Sequence, residues 1–144
     1  MRSSVVIVAG LIAVLPVVAH AEMLISVQEA ALPSASGATT FRGISRGPKI
    51  EVVDLKEGAT LKSPLNLKMT FKSFGGATVN ADSVKVTYVK NPAVDLTPRV
   101  KKYIQVGGLD MPAAELPPGD HEFLVELRDS DGRPGVTTFK LKIQ

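Results

Sequence analysis

One short motif in the chain has the residue types of a catalytic site. Residues 43–47 read Gly-Ile-Ser-Arg-Gly, which matches the G-x-S-x-G motif of hydrolases whose serine is the nucleophile, and His121 follows later in the chain. That motif requires a strand before the serine and a helix after it. Here a glycine-rich stretch precedes Ser45, and Pro48 follows it. We therefore expect no catalytic residue, and we interpret His121 as a solvent-facing residue at the start of a strand.

A second motif has the carboxylates of a calcium site. Residues 129–132 read Asp-Ser-Asp-Gly, and alternating carboxylates supply the hard oxygen ligands that calcium prefers. The EF-hand pattern fails, because Leu127 stands two positions before Asp129 and no bidentate glutamate follows at the required spacing. Asp129 and Asp131 are therefore weak metal candidates, and the competing interpretation of the motif is a plain hairpin turn.

Composition excludes several other kinds of site. The chain of 144 residues has no cysteine and no tryptophan, and His121 is the only histidine after residue 21. Disulfides, thiol catalysis and a lipid-modified cysteine are therefore excluded, and a transition-metal centre lacks a ligand cluster. We expect no cofactor. The net charge is only +3, with acidic and basic residues interspersed, so we also expect no nucleic-acid partner.

The N-terminal residues have the features of an export signal. Arg2 precedes an apolar run over residues 5–18, and residues 19–21, Ala-His-Ala, place small side chains at both positions that signal peptidase recognises. The competing interpretation is a retained membrane anchor, but the run is shorter than the roughly 18 residues of a spanning helix. We predict a cleavable signal peptide over residues 1–21, no integral membrane segment after cleavage, and a periplasmic or secreted protein.

Residues 22–48 show no sustained helical or strand period, and small residues, glycine and proline dominate their middle. We predict a flexible arm, in which residues 23–32 carry enough apolar side chains to form a short helix or to dock. The alternatives for the arm are a disordered leader and a partner-docking segment. The candidate partner-binding residues are Phe41, Arg42 and Arg46 of the arm, with Arg99 and Lys102 further along the chain.

The rest of the chain alternates between apolar and polar residues with the period of β-strands. The clearest run is residues 65–72, and residues 120–144 form two more runs around a turn, which predicts an antiparallel hairpin. Residues 97–104 indicate one short helical turn, with Thr97 as its cap and Pro98 at its first position. Further strands are predicted near 50–55 and 84–88, with an edge strand near 109–116 and a turn at 80–82.

Six or seven short strands joined by turns, without a long helix, predict an all-β, antiparallel two-sheet sandwich. Residues 117–132, Pro-Pro-Gly-Asp-His-Glu-Phe-Leu-Val-Glu-Leu-Arg-Asp-Ser-Asp-Gly, resemble the penultimate strand and last turn of bacterial immunoglobulin-like domains. The resemblance covers about residues 49–144, without the paired cysteines and core tryptophan of antibody domains. It implies an immunoglobulin-like sandwich over that range and non-enzymatic work as a binding, spacer or assembly module.

The leading hypothesis is therefore an exported, non-catalytic binding or assembly module of the bacterial cell envelope, whose partner is another envelope protein. The alternative hypothesis is a sandwich domain that binds a small ligand or calcium through the loops at 95–103 and 129–132. Calorimetric titration with calcium discriminates between the two hypotheses.

Overall fold

The computed structural model describes residues 20–35, 46–56 and 58–144. The predicted signal peptide lies outside these ranges except for His20 and Ala21. Within the described part of the chain, no helix is both long enough and apolar enough to cross a membrane.

The described residues form ten β-strands, two short α-helices and one 3₁₀ turn. In chain order these are β1 (Glu22–Met23), α1 (Val27–Ala30), β2 (Lys49–Val53), β3 (Thr60–Leu61), β4 (Leu65–Lys72), β5 (Val79–Tyr88), β6 (Val94–Asp95), α2 (Thr97–Val100), the 3₁₀ turn (Lys101–Tyr103), β7 (Ile104–Gln105), β8 (Gly108–Glu115), β9 (Gly119–Asp129) and β10 (Pro134–Ile143).

The strands form two sheets that pack face to face. The first sheet has the order β1-β8-β4-β2, with β7 also paired to β8, and the second has the order β3-β10-β9-β5-β6. With β2, β4 and β8 as strands A, B and E, and β5, β9 and β10 as strands C, F and G, this is an immunoglobulin-like sandwich. The predicted fold class is confirmed. Two short edge pairings, β1 with β8 and β3 with β10, are parallel, and the longer pairings are antiparallel.

The predicted antiparallel hairpin is confirmed as β9 and β10, which lie in the middle of the second sheet. Phe123 of β9 lies opposite Phe139 of β10, and their rings stack with centroids 4.9 Å apart. Phe123, Val125 and Leu127 are buried because alternate residues of a strand point to the same face of the sheet. Inward-facing residues of the other long strands complete the apolar core: Leu67, Met69, Phe71, Val84, Val86, Tyr88, Leu109 and Met111.

The predicted helical turn is confirmed as α2 followed by the 3₁₀ turn, but its predicted cap is wrong. Thr97 is the first residue of α2, and Leu96 stands at the N-cap without a side-chain hydrogen bond. Thr97 Oγ1 accepts a hydrogen bond from the Val86 amide at 3.0 Å, while the Asp95 carboxylate accepts one from the Thr97 amide at 3.0 Å. The threonine hydroxyl therefore ties α2 to β5.

The predicted turn at residues 80–82 is wrong, because these residues lie inside β5. The pairing of β5 with β9 shifts its register between Asn80 and Lys85, which is a β-bulge. The Asn80 side chain accepts a hydrogen bond from the Asp82 amide at 3.1 Å, and the Ser83 hydroxyl donates to the Asn80 carbonyl at 2.6 Å. These local bonds are those of a turn, and here they stabilise the bulge.

Strand β8 is not the edge strand that the sequence predicts, because other strands flank it on both sides. β4 pairs with one side, while β7 pairs with the first two residues of the other side and β1 with the last two. Among the described residues, no strand pairs with residues 110–113 on that second side. Pro112 has no N–H and Ala113 has a φ of 53°, so this part of β8 does not offer a regular edge.

Candidate protein-interaction site

Residues 22–34, which we call the strap, cross the end of the sandwich that is opposite the β9–β10 turn. Strand β1 pairs with the end of β8, and the Leu24 amide donates to the Glu115 carbonyl at 2.9 Å. Leu24 and Ile25 are 0% and 2% exposed and belong to the core. The start of the arm is therefore part of the fold and not flexible as predicted, because its two apolar side chains are buried between the sheets at the end of the core.

Helix α1 continues the strap and is held by a capping box. The Glu29 amide donates to Ser26 Oγ at 3.2 Å, and the Ser26 amide donates to Glu29 Oε2 at 2.9 Å. A helix of four residues has little stability of its own, so the box and the contacts with the sandwich stabilise it.

Arg99 of α2 joins both parts of the strap. Its Nη1 and Nη2 atoms donate to the two carboxylate oxygens of Glu29 at 2.8 and 2.6 Å, and Nη1 also donates to the Leu24 carbonyl at 2.8 Å. The hydrogen bonds from Arg99 lower the pKa of Glu29 to about 2, and those from Ser26 act in the same direction. The same pair raises the pKa of Arg99. The guanidinium therefore holds an extended segment and a helix at one point.

A second ion pair fixes the start of the strap. Lys102 Nζ lies 2.7 Å from Glu22 Oε2, and the Tyr103 hydroxyl donates to the same oxygen. Hydrogen bonds from Lys102 and then Tyr103 lower the pKa of Glu22, and the pair raises the pKa of Lys102. Arg99 and Lys102, both predicted to bind a partner, thus bind the chain's own N-terminal segment in this structure.

The far end of the strap is anchored to the residues that follow β5. Lys90 Nζ donates to the Ala30 carbonyl at 3.1 Å, and the Asn91 amide donates to the Pro33 carbonyl at 2.9 Å. Ser34 forms an isolated β-bridge with Lys90. The strap is therefore fixed at its start, middle and end.

Two large apolar side chains of the strap face solvent. Met23 is 58% exposed and Val27 is 72% exposed, although their neighbours Leu24 and Ile25 are buried. This outward pair was not predicted from the sequence. The signal that could have indicated it is that four of the five residues at positions 23–27 are apolar, which is more than one buried face of so short a segment requires.

The prediction that His121 faces solvent is wrong, because its side chain is 2% exposed. His121 Nε2–H donates to the Pro117 carbonyl at 2.7 Å, and Nδ1 accepts from the Tyr88 hydroxyl at 2.9 Å, which assigns the neutral tautomer. Burial lowers the pKa of His121, and burial raises the pKa of Tyr88. His121 is two residues before Phe123, so the alternation of β9 itself places it on the inward face.

A cavity of about 570 Å³ opens beside His121, near the end of the strap. Its lining mixes amino and carboxylate groups, so it has no single charge preference. The polar lining residues include Ser34, Lys90, Asp120, Glu122, Lys140 and Lys142.

The carboxylates of the calcium motif bind an arginine of the same turn. Asp129 Oδ2 accepts from Arg133 Nε at 2.8 Å, and Asp129 Oδ1 accepts from the Arg133 and Asp131 amides at 2.9 and 3.0 Å. Burial raises the pKa of Asp129, but these hydrogen bonds outweigh it and hold the pKa below its ordinary value. Asp131 Oδ2 lies 3.0 Å from Arg133 Nη2. No group of three or more metal-ligating side chains occurs in residues 20–35, 46–56 and 58–144.

The remaining predicted partner-binding residues belong to the second half of the arm. Phe41 and Arg42 lie outside the described residues, as does Ser45 of the hydrolase-like motif. Arg46 is described and exposed. The structure thus brings Arg99 and Lys102 together at the strap and places Asp129 and Asp131 at the opposite end.

No protein-family model and no curated protein matches the chain. Solved structures similar to it include CopC from Methylosinus trichosporium OB3b, with 15% identity and a TM-score of 0.44 over 66% of this chain and 93% of that chain. The fibronectin(III)-like modules of Clostridium thermocellum CbhA have 10% identity and a TM-score of 0.39, over 65% and 93% of the two chains. Murine CRIg has 10% identity and a TM-score of 0.40, over 67% and 96%. At these values the similarity does not inform the function of this chain.

Proposed function

We propose that the chain is an exported, non-catalytic binding or assembly module of the bacterial cell envelope, and that it contacts a partner protein through the outward face of the strap. The observation that carries the proposal is that Met23 and Val27 face solvent on a segment whose neighbouring side chains are anchored in the core. Protein interfaces are centred on a few side chains that a fixed support presents to the partner.

The fixed position of the strap supports this function. Leu24 and Ile25 are buried, Arg99 binds the middle of the strap, and Lys90 binds its end. A partner that binds Met23 and Val27 therefore orders little additional chain, which reduces the entropic cost of association.

Export and the absence of catalysis are supported by separate observations. The apolar run over residues 5–18, followed by Ala-His-Ala, supports cleavage before Glu22, which is the first residue of β1. His121 is 2% exposed and its ring nitrogens bind Tyr88 and Pro117 inside the domain, so the ring does not face a position that a substrate could occupy.

Photo-crosslinking in the native host tests the proposal. A photoreactive amino acid is placed at position 27 of the full-length precursor, and a matched one at Thr138, an exposed residue on the outer face of β10. We expect a defined envelope protein to be captured from position 27 and not from position 138. N-terminal sequencing of the exported chain should begin at Glu22.

The matched variant is Met23→Ser, which removes an exposed side chain and leaves Leu24 and Ile25 in place. Deleting residues 22–48 is unsuitable, because it would also remove these core residues. Met23→Ser should reduce capture from position 27 several-fold. Equal capture from both positions, or capture unchanged by Met23→Ser, would contradict a contact through the strap.

A further inference from the structure

Strand β10 has a stretch of unpaired backbone at the edge of the second sheet. β9 pairs with one side of β10 over its whole length, while β3 pairs with the other side only at Lys142 and Ile143. In the described part of the chain, no strand pairs with residues 136–141 on that second side, which we call the open edge. Unlike residues 110–113 of β8, this stretch has no proline, no positive φ and no register shift, so its edge is regular.

The backbone groups that face the open edge belong to Val136, Thr138 and Lys140. The Gln144 amide donates to the Leu61 carbonyl of β3 at 3.0 Å, so the backbone groups of residue 144 point away from β9. Alternate residues of a strand direct their N–H and C=O groups to the same side, which places those of residues 136, 138 and 140 at the open edge. Each of these residues can donate one hydrogen bond and accept one, in the spacing that an added strand requires.

An apolar cavity of about 200 Å³ lies beside the open edge, between β10 and β2. Side chains from both sheets line it: Ile50, Val52, Leu55, Phe139 and Leu141. Residues directly opposite each other on paired strands have their side chains on the same face. The residues of an added strand that lie opposite Phe139 and Leu141 therefore direct their side chains into this cavity, which suits aliphatic groups.

The outer face of β10 is basic beside the open edge. The strand carries Lys140 and Lys142 and no acidic residue. The side chain of Lys140 is 70% exposed, and its Nζ lies 3.8 Å from Glu122 Oε2, a contact at the limit of an ion pair. An acidic residue opposite Lys140 on an added strand would lie within reach of this ammonium. The matching segment therefore alternates aliphatic and polar residues, with a carboxylate on its outer face.

The end of the open edge that β3 covers excludes the β10 strand of a second copy. In a two-fold antiparallel pairing about Thr138, Pro134 of one copy comes opposite Lys142 of the other. Thr60 already occupies that position, because it pairs with Lys142. A shift of the register by two residues in either direction brings another part of the same hairpin there, including its turn at 130–133. An extended segment that is not part of a sheet can end before Thr60.

We propose that the open edge of β10 binds an extended segment of another protein, which adds to the second sheet as a strand. The segment directs aliphatic side chains into the cavity beside Phe139 and a carboxylate toward Lys140. This contact is separate from the strap, so the domain can hold one protein at the strap and a chain segment of another at β10. Because the segment is short and becomes ordered on binding, we expect a Kd on the order of 0.1 mM.

Amide hydrogen exchange of the exported chain, measured by NMR, tests the proposal with a capped peptide of sequence Ser-Val-Glu-Val-Thr-Leu-Ser. In the free chain, the amides of Val136, Thr138 and Lys140 should exchange fast, whereas those of Phe139 and Leu141, which face β9, should exchange slowly. Peptide at about ten times its Kd should slow exchange at the first three amides about tenfold. A scrambled peptide of the same composition, without the alternation, is the control and should have no effect.

Two variants locate the contact. Thr138→Pro removes one N–H of the open edge at a position where a strand tolerates proline, so it should keep the circular dichroism of the parent and lose the peptide. Thr138→Ser keeps the N–H and should bind like the parent. Lys140→Glu leaves the backbone intact and should bind the peptide several-fold more weakly. It should instead prefer a peptide with lysine in place of glutamate.

A slowly exchanging Thr138 amide in the free chain overturns the proposal, because the edge is then already covered. Exchange that the peptide does not change, or binding that survives Thr138→Pro, overturns it as well. In the crosslinking experiment above, a strand donor is captured from position 138 only, and the protein that binds the strap from position 27 only. If the peptide fails and position 27 still captures its protein, the edge inference fails and the proposed function stands.

Discussion

Arg99 and Glu29 are 70 residues apart in the sequence and form a two-point ion pair that fixes the strap to α2. Because Arg99 also donates to the Leu24 carbonyl, one guanidinium orders both the extended part and the helical part of the strap. The side chain of Glu29 is mostly buried in this contact, and that of Arg99 is about one-third exposed. The pair therefore links acid titration at the strap to the stability of the whole sandwich.

Acid should weaken this contact in a defined pH range. The folded-state pKa of Glu29 is about 2, against an ordinary value of 4.5, mainly because of hydrogen bonds from Arg99. The unfolded chain binds the proton first, so the stabilisation is fully present above about pH 4.5 and is lost as pH falls through about 2. Urea unfolding of the parent and of Glu29→Gln between pH 2 and pH 7 measures the contribution of this ion pair to the free energy of unfolding. The variant should be about 1–2 kcal/mol less stable near neutral pH, since solvent screens part of the pair.

The comparison with Glu29→Gln is necessary because Glu51 titrates in the same range. Lys49 and Lys72 lower the pKa of Glu51 to about 2 as well. Subtracting the pH profile of the variant from that of the parent isolates Glu29. Identical profiles for the two proteins would mean that the ion pair does not persist in solution.

Truncating a core residue of the strap should destabilise the domain strongly. Leu24 is fully buried, so Leu24→Ala should lower the free energy of unfolding by about 2–5 kcal/mol through lost burial and a new cavity. The matched variant Met23→Ala, at the exposed neighbour, should change it by less than about 0.5 kcal/mol. Guanidinium unfolding followed by circular dichroism compares the two. Similar effects from both variants would argue against docking of the strap in the core.

Removing the tyrosine hydroxyl that faces His121 should leave a buried nitrogen without a donor. Tyr88→Phe keeps the ring that packs on Phe123 but removes the hydrogen bond to His121 Nδ1. We expect a loss of about 1–3 kcal/mol in the free energy of unfolding at pH 7.5. Phe139→Leu, which alters the same ring cluster without changing a hydrogen bond, is the packing control. A neutral or stabilising Tyr88→Phe would contradict the assigned tautomer.

His121 should also make the stability of the domain depend on pH. Burial lowers its pKa from the ordinary value of 6.5. The unfolded chain therefore takes up a proton before the folded chain does, so stability is fully present above about pH 6.5 and decreases as pH falls through the lowered pKa. NMR titration of the His121 ring gives the folded-state value directly. His121→Gln should lose this part of the pH dependence, and a measured pKa above 6.5 would reverse the expected sign.

Calcium should not bind at the Asp129 turn. Both carboxylate oxygens of Asp129 accept hydrogen bonds from Arg133 or its neighbours, and Asp131 pairs with the same arginine. Titration calorimetry with calcium should give no binding heat, and calcium should not shift the melting temperature. A saturable heat that is lost in Asp131→Asn would favour the calcium-binding hypothesis instead.

The sandwich was predictable because its signals are local and repeat along the chain. The alternation in β4 and β9 and the turn residues of the last hairpin follow from strand geometry alone. The same alternation, followed to both ends of β9, includes His121 and Asp129 on the inward face. Their burial was not predicted because both side chains are polar. A polar side chain is buried only where hydrogen-bond partners surround it, and the sequence does not show which residues those partners are.

A short helix or docking over residues 23–32 was predictable as one interpretation of the arm, and both occur, but the place where the strap docks was not, because the contacts that fix it to the sandwich are distant in sequence. Nothing in the sequence around Glu29 or Arg99 indicates that the two side chains pair. Leu24 and Ile25 have the pattern of an isolated apolar segment, and only the structure shows that they fill the end of the core. Asn80 and Ser83 are a related case: their local hydrogen bonds suit both a turn and a bulge, and the pairing of β5 with β9 decides between them.

The gap along the outer side of β8 has a consequence for how concentrated copies of the chain behave. At residues 110–113 the backbone lacks the Pro112 N–H and bends at Ala113, so another chain cannot add a strand there in regular register. Growth of ordered aggregates from this edge lacks a template, even in a crowded compartment. Contacts between folded copies through this part of β8 are therefore limited to side chains, so association through it should be reversible on dilution.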